Sequence, residues 1–492
     1  MKFLILFVLL GISTAAAQAP LGKLLAKRYP MIQNDDQTLV LISFSDKGRS
    51  KTGELRRPES LLSDRSLRRR MKVRDAAHVV DEQDLPLEQA YVRAVASRVA
   101  SVRHQLKWFN GVSAMATKSE IDEVRKLGFV REIELLGRWR VRKDDEQPEP
   151  LEKSPRLEAP AGTTDLSYGT SFTQVNQINV PALNKLGFYG QGVVIAVFDN
   201  GFRNLAHQAF DSMHIIATYD FVDHKVGVAP NNLSTGFGSH GVWTLSTIGG
   251  NKSGSLIGPA FKSDYILART ENDSSETPIE EDNWAKAIEW ADSIGVDVTS
   301  CSLGYLGFDA PYPGLTWADM NGHTALVTKA ADRAVGLGIV VVNSAGNEGF
   351  NASRNTLIAP ADGDSVIAAG AVTSAGVRTS FSSVGPTTDN PPRIKPDVMA
   401  MGSGVKTASA TDTVNYVSVN GTSFSCPLSA GVAALLLCAN PSLTPMQVRD
   451  AMRQTASNSC SPNNLMGWGI LNALAAMKYS AVAPVGVISG TV

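Results

Sequence analysis

A carboxylate, an imidazole and a hydroxyl stand at Asp199, His240 and Ser423, each where the backbone can lead it into a crevice. Such a trio can make a serine nucleophilic. The imidazole takes the hydroxyl proton and the carboxylate holds the imidazole in one tautomer. Asp199 follows directly on the apolar run 193–198 and precedes Asn200-Gly201, a strong turn signal, so a turn aspartate is the plainer alternative. His240 lies in Gly238-Ser239-His240-Gly241 and opens the apolar stretch 242–248. Beyond residue 164 the histidines are His207, His214, His224, His240 and His323, and only His240 has glycines close on both sides. Glycines let a backbone and a substrate approach closely, although alone the residue also reads as a loop histidine. Ser423 sits in Asn420-Gly421-Thr422-Ser423-Phe424-Ser425-Cys426-Pro427, at the start of an apolar helix. A helix N-terminus points unpaired N–H groups at such a serine, which suits an intermediate carrying an oxyanion. A simple N-cap serine is the alternative. Asn347, in Asn343-Ser344-Ala345-Gly346-Asn347-Glu348-Gly349, can donate a side-chain N–H into the same crevice or belong to an Asn-rich loop.

The elements that must position these groups alternate between strand and helix. Residues 193–198, 265–268, 296–303 and 339–343 predict strands. Residues 276–294, 321–337, 423–438 and 444–453 predict helices, with Pro427 tolerated in a first turn and Thr444-Pro445 as a start signal. Apolar strands separated by such helices imply an α/β fold, a mainly parallel sheet covered on both faces. Sites in such sheets lie at the carboxyl ends of the strands. Before this region, strands at 38–44, 107–115 and 130–135, a basic helix at 65–74 and a helix from Ser119 to Leu127 predict a small α+β domain over about 35–142. Residues 143–164, rich in Pro, Glu and Lys, read as a linker too polar to order itself.

The chain has 492 residues, enough for two or three domains, with 43% hydrophobic and 19% charged residues. Its charge is uneven. Residues 20–142 carry 25 Lys+Arg against 16 Asp+Glu, a net +9, and residues 143–492 carry 20 against 31, a net −11. The two parts can attract each other. The basic part has acids mixed through it and no nucleic-acid motif, so no nucleic-acid partner is expected. Lys2, the apolar run 3–10 and the small residues Ala15, Ala17 and Ala19 read as a signal peptide, too short to span a bilayer. No later segment reads as a membrane span, and the mature protein is expected to be secreted. Of the four cysteines, Cys438 and Cys460 are expected to form a disulfide, and Cys301 and Cys426, inside apolar motifs, to be buried thiols. No Cys/His spacing resembles a zinc site, and no loop has a clear calcium-ligand pattern.

Taken together, the segments around Asp199, His240, Asn347 and Ser423 resemble the subtilase family of serine peptidases, over about residues 170–480. The piece that carries this furthest is Gly421-Thr422-Ser423-Phe424-Ser425-Cys426-Pro427, close to the family's G-T-S-M-[AS]-x-P. The order Asp, His, Ser is that of subtilisin. The resemblance implies a subtilisin-like three-layer domain and a secreted endopeptidase acting on protein or peptide substrates through an acyl-enzyme. Asp199, His240 and Ser423 would be the triad. Asn347 and the Ser423 N–H would form the oxyanion hole. Ser302, Leu303 and Gly304, in Ser300-Cys301-Ser302-Leu303-Gly304, would pair with the substrate backbone, and Ala345-Gly346 would line the pocket for the residue before the cut. The implied layout is a signal peptide at 1–19, a propeptide at 20–142 acting as an intramolecular inhibitor, and a linker with the processing site at 143–168. A peptidase domain at 169–480 and a tail at 481–492 complete it. No cofactor is implied. Many subtilases bind calcium, and here the metal stays unassigned. Two positions depart from the family pattern. Asn200 stands where D-[ST]-G is common, and Val242-Trp243 replaces Thr-His in H-G-T-H. An inactive, binding-only relative is therefore the alternative. An esterase would require G-x-S-x-G, and Ser425 breaks that pattern.

Overall fold

The computed structural model describes residues 18–48, 53–136, 149–150, 166–230, 238–271, 279–306 and 315–481. Most of the expected signal peptide and linker, and the tail from residue 482, lie outside the described residues. The chain forms two compact units. One comprises residues 1–49 and 86–135, and the other residues 50–85 and 136–492.

The first 136 residues supply helices α1 (Lys23–Arg28), α2 (Asp64–Arg70), α3 (Gln89–Ala96) and α4 (Lys118–Val124). Their strands are β1 (Thr38–Phe44), β2 (Ser101–Leu106), β3 (Gly111–Ala116) and β4 (Val130–Leu135). In the first unit these strands form an antiparallel sheet in the order β2-β3-β1-β4. Val40, Ile42 and Phe44 of the central strand pack with Val92, Val95, Ile121, Val124 and Ile133. Residues 107–109, expected to begin a strand, form a 3-10 turn ended by Asn110 at φ 47°. The expected strand begins after them, as β3 from Gly111, and a further strand lies before them as β2, whose polar sequence SVRHQL hides it from a hydrophobicity count. Thr117, not Ser119, caps α4, because Glu120 three residues on closes a capping box with it. The sequence reading put residues 20–142 in one domain, whereas the segment holding α2 folds with the second unit.

The second unit continues with β5 (Glu149–Pro150), α5 (Phe172–Gln177), α6 (Val180–Lys185), β6 (Val194–Asp199), β7 (His214–Asp220), α7 (Ser239–Gly249), β8 (Asn251–Lys252), β9 (Leu256–Ile257) and β10 (Asp264–Arg269). Then come α8 (Ile279–Ile294), β11 (Val298–Cys301), α9 (Leu326–Gly336), β12 (Val340–Ser344), β13 (Ile367–Val372), β14 (Val398–Met401), β15 (Val405–Ala408), β16 (Tyr416–Val419), α10 (Thr422–Ala439), α11 (Pro445–Gln454) and α12 (Ala473–Ala481). A seven-stranded sheet runs β14-β13-β12-β11-β6-β10-β7, parallel throughout. Helices α7 and α10 cover one face, and α8 and α9 the other. Side chains alternate along a strand, so Ile195 and Val197 of β6 join the cluster under α7 and α10. Phe198 meets Trp284 of α8 edge-on instead, with ring centroids 5.7 Å apart. Burial on both faces explains the uninterrupted apolar runs of these strands.

Helix α10 is long and apolar enough to cross a membrane by length and composition, which the sequence reading did not foresee for any segment after the N-terminus. It is instead the central helix of the unit, packed on β11 to β14 and α7 with Thr422 to Leu437 buried. Residues 321–325 were expected to open α9. They form a turn in which the Asn321 Oδ1 accepts from the His323 N–H at 2.8 Å, and the helix starts at Leu326. Glu149–Pro150, inside the expected linker, pair antiparallel with Val417 and Ser418 of β16. Strand addition needs only backbone donors and acceptors, which a composition argument overlooks. The expected Cys438–Cys460 disulfide is not formed: all four cysteines are free. Cys438 packs at the core under the end of α10, and Cys460 faces solvent.

Ala325 leaves the N-terminus of α9 without a side-chain cap of its own, and the buried Glu281 of α8 caps it, accepting from the Leu326 N–H at 3.1 Å. Burial pushes the Glu281 carboxyl up to about 8 from its ordinary value near 4.5. The folded chain thus keeps a proton that the unfolded chain releases. This stabilisation is complete below about pH 4.5 and is lost as pH rises toward about 8. Glu281→Gln keeps the acceptor and removes the titration. Between pH 5 and pH 8 the variant should lose less stability than its parent, by roughly 1–3 kcal/mol. Urea unfolding of the Ser423→Ala chain with and without Glu281→Gln measures this, and equal slopes would sink it.

Candidate active site

Asp199 ends β6 at the carboxyl edge of the sheet and is fully buried. A buried carboxylate must have its oxygens occupied. The Asp199 Oδ1 lies 2.7 Å from His240 Nδ1 and accepts from the Asn200 N–H at 2.8 Å. Its Oδ2 accepts from the Thr244 hydroxyl at 2.8 Å. His240 is the second residue of α7, and Thr244 lies one turn on along the same helix. One helix therefore supplies both the ring that Asp199 holds and the hydroxyl that fixes Asp199. The approach is close: a Cβ on Gly241 would run into the Gly201 carbonyl, so only glycine lets α7 start here. Asn200 takes part as well, its Oδ1 accepting from the Gly241 N–H at 3.2 Å.

Ser423 is the second residue of α10, is 5% exposed, and donates to the Ser302 carbonyl at 3.3 Å. The ring of Phe424, its neighbour, lies 5.9 Å from that of His240. Pro427 has no N–H to give the carbonyl four residues back, which is that of Ser423. The Ser302 hydroxyl takes its place at 2.7 Å. The proline thus frees a carbonyl that ties the start of α10 to the segment after β11.

Asn347 follows β12 and is half-buried. Its Oδ1 accepts from the Thr422 N–H at 2.9 Å and the Thr422 hydroxyl at 2.8 Å. With the oxygen committed, the amide N–H donors are the end left for another acceptor. Ser302 and Leu303 are buried just beyond β11, and a Cβ at Gly304 would collide with Ile358. Gly346 borders the same Ile358, while the Ala345 methyl is enclosed with Ala361 and Ala368, so only its backbone is available to a ligand. Trp243 is 9% exposed, joins the core under α7, and stands edge-on to His240 with centroids 6.5 Å apart. The bulk that replaces a histidine in the family motif is thus absorbed by the core.

The sequence reading missed Thr244 and the Ser302–Ser423 carbonyl bond. The signal for Thr244 was its four-residue spacing from His240, which brings both to one side of a helix. Buried Glu271 was also missed. It bonds the Tyr305 hydroxyl at 2.5 Å, and burial pushes it up to about 7. Among the described residues no group of three or more His, Cys, Asp or Glu is placed to hold a metal ion. Thr244→Val should lower kcat about 10-fold with KM little changed, because it removes one donor to a buried charge. Thr244→Ser should restore most of it. A normal kcat for the valine variant would rule out this positioning role.

A parallel α/β sheet with a buried Asp holding a partly exposed His, and a helix-opening serine at its carboxyl edge, defines a serine hydrolase class. The subtilase family model matches residues 190–469, and the model of the Peptidase S8 propeptide domain, Bacteroidota, matches residues 39–150. The chain belongs to the subtilase family and is a subtilisin-like serine endopeptidase with a propeptide domain. It is 35% identical over 305 residues to subtilisin of Bacillus pumilus, covering 62% of this chain and 98% of that one. To subtilisin NAT of Bacillus subtilis subsp. natto it is 30% identical over 388 residues, covering 78% and 85%. Fervidolysin from Fervidobacterium pennivorans, a keratinolytic enzyme related to subtilisin, shares the fold with a TM-score of 0.64 at 19% identity. That alignment covers 97% of this chain and 64% of the fervidolysin chain.

Proposed function

We propose that the protein is secreted as a zymogen, cuts itself within residues 143–168, and then hydrolyses protein substrates through an acyl-enzyme on Ser423. The observation that carries this reading is the Asp199–His240 pair, 2.7 Å apart with Asp199 fully buried. Nδ1 bonded to a carboxylate leaves Nε2 as the base. His240 takes the Ser423 proton as Oγ attacks the scissile carbonyl, and returns it to the leaving amine. Asp199, held by Thr244 and Asn200, stabilises the imidazolium. The Asn347 amide and the Ser423 N–H receive the oxyanion. Water then repeats the sequence on the acyl-enzyme, with His240 again as base. Ser302, Leu303 and Gly304 pair with the substrate backbone as an added strand, and the backbone of Ala345-Gly346 borders the preceding residue. The propeptide acts as an intramolecular inhibitor until it is cut away. The N-terminal apolar run followed by small residues supports export.

The test compares residues 20–492 with the Ser423→Ala variant over time, by fragment size, casein digestion and labelling with an organofluorophosphonate. The parent should shorten near the linker, digest casein and take one label, while the variant stays whole, inert and unlabelled. Two folded, intact and unlabelled proteins would bring the inactive, binding-only reading forward.

A further inference from the structure

Residues 53–85 lie in sequence between β1 and α3 of the first unit, yet they fold with the second. Leu62, Val79 and Val80 give them a small core of their own. Helix α2 seats on the carboxyl ends of α8 and α9, where last-turn carbonyls have no intrahelical partner. Ser63 donates its hydroxyl to the Ile294 carbonyl at 2.9 Å. Arg65 donates to the Gly295 carbonyl at 2.9 Å and the Gly192 carbonyl at 2.7 Å, and pairs with Asp297. Arg69 spans both helix ends, donating to the Val296 carbonyl at 2.8 Å and the Leu337 carbonyl at 3.1 Å while pairing with Asp292. Arg70 donates to the other Asp292 oxygen at 2.6 Å and grips Asp84 with two bonds of 2.7 and 2.8 Å. The side chains of Arg69, Arg70, Asp84 and Asp292 are at most 1% exposed. Gly295, at φ +100°, ends α8, and a Cβ there would lie 2.7 Å from the Arg65 Cβ. The residue that stops the helix is thus also the one that admits α2.

A guanidinium does not shed its charge, so these arginines and Asp292 stand or fall together. Taking the segment away would leave the Asp292 carboxylate without its two guanidinium partners and strip the carbonyl ends of two core helices of these donors. The seat is at the amino edge of the sheet. Gly192 and Asp297 come just before β6 and β11, and β6 runs about 16 Å onward to Asp199 at ~3.3 Å per residue. Binding there leaves the crevice at the opposite edge uncovered.

We infer that residues 53–85 are a structural subunit of the peptidase unit, which stays bound by Arg65, Arg69 and Arg70, without a covalent link, once the linker and both joints to the first unit are cut. The inference takes from the proposed processing only the place of the cut, and the test replaces self-cleavage by an added protease. The Ser423→Ala chain would carry recognition sequences for an unrelated protease at 49–52, at 85–86 and in the linker. After digestion, size exclusion in about 0.15 M salt and intact-mass measurement follow the 53–85 fragment. It should co-elute with the peptidase fragment through repeated passages. Its release as free peptide from a still-folded peptidase fragment would overturn the inference. The Arg69→Lys/Arg70→Lys chain keeps the charge and loses the forked donors, and it should release the fragment at least about tenfold faster. Release at the parental rate would equally overturn it. Should that double variant not fold, Arg65→Ala is read in the same way, with release about threefold faster expected.

Discussion

Ser423→Ala lowers turnover on a peptide substrate on the order of 10⁶-fold, the size of loss that removing the serine or the histidine has in subtilisin itself. KM should stay within a few-fold, since Ser423 Oγ makes no contact that the ground state needs. Among the described residues its hydroxyl donates one bond, a long one of 3.3 Å to the Ser302 carbonyl. His240→Ala should cost about as much, and the double variant hardly more than either single one, because the two groups act as a unit. A residual rate of about 10³–10⁴ over water should survive in all three from the oxyanion hole and binding alone. Single-turnover measurements with an activated ester, on chains freed of propeptide by an added protease, read all of this. Additive losses would mean that His240 does not serve Ser423.

Asn347→Leu lowers kcat about 10²–10³-fold with KM nearly unchanged. The Asn347 oxygen is engaged by the N–H and the hydroxyl of Thr422, so the amide is fixed before substrate arrives. A donor held in advance requires no reorganisation when charge develops, and its worth appears in the transition state rather than in binding. Thr422→Val keeps the N–H bond and loses the hydroxyl bond. It should give a smaller loss, about 3- to 10-fold, again in kcat. If Asn347→Leu raised KM instead, the residue would be a substrate contact and not an oxyanion donor.

Much of this was legible in order along the chain. The run 193–198 is apolar without interruption because β6 is covered on both faces, and Asp199 stands where that run meets the edge. Thr444-Pro445 opens α11 as read, with Gln447 closing the capping box, because caps are local chemistry. The polar strand β2 was not legible, since its side chains have no hydrophobic period. The Cys438–Cys460 pairing failed because nearness in sequence says nothing about which way two side chains face. Trp243 looked like an intrusion into the site, and only the packing under α7 reveals where its bulk goes.

The sequence by itself determined the family and the parallel architecture, and it singled out Asp199, His240, Asn347 and Ser423 as the candidate site residues. Those depend on short motifs and on the 2.0 and 3.6 residue periods, which any local reading can count. Only the tertiary structure decided that Thr244 secures Asp199, that Ser302 takes the carbonyl freed by Pro427, and that Arg69 and Arg70 of the pro-segment close on Asp292. These contacts join residues up to 223 positions apart. Donors and acceptors buried far apart in sequence find partners only when the whole chain is packed, and no spacing along the chain encodes which will meet.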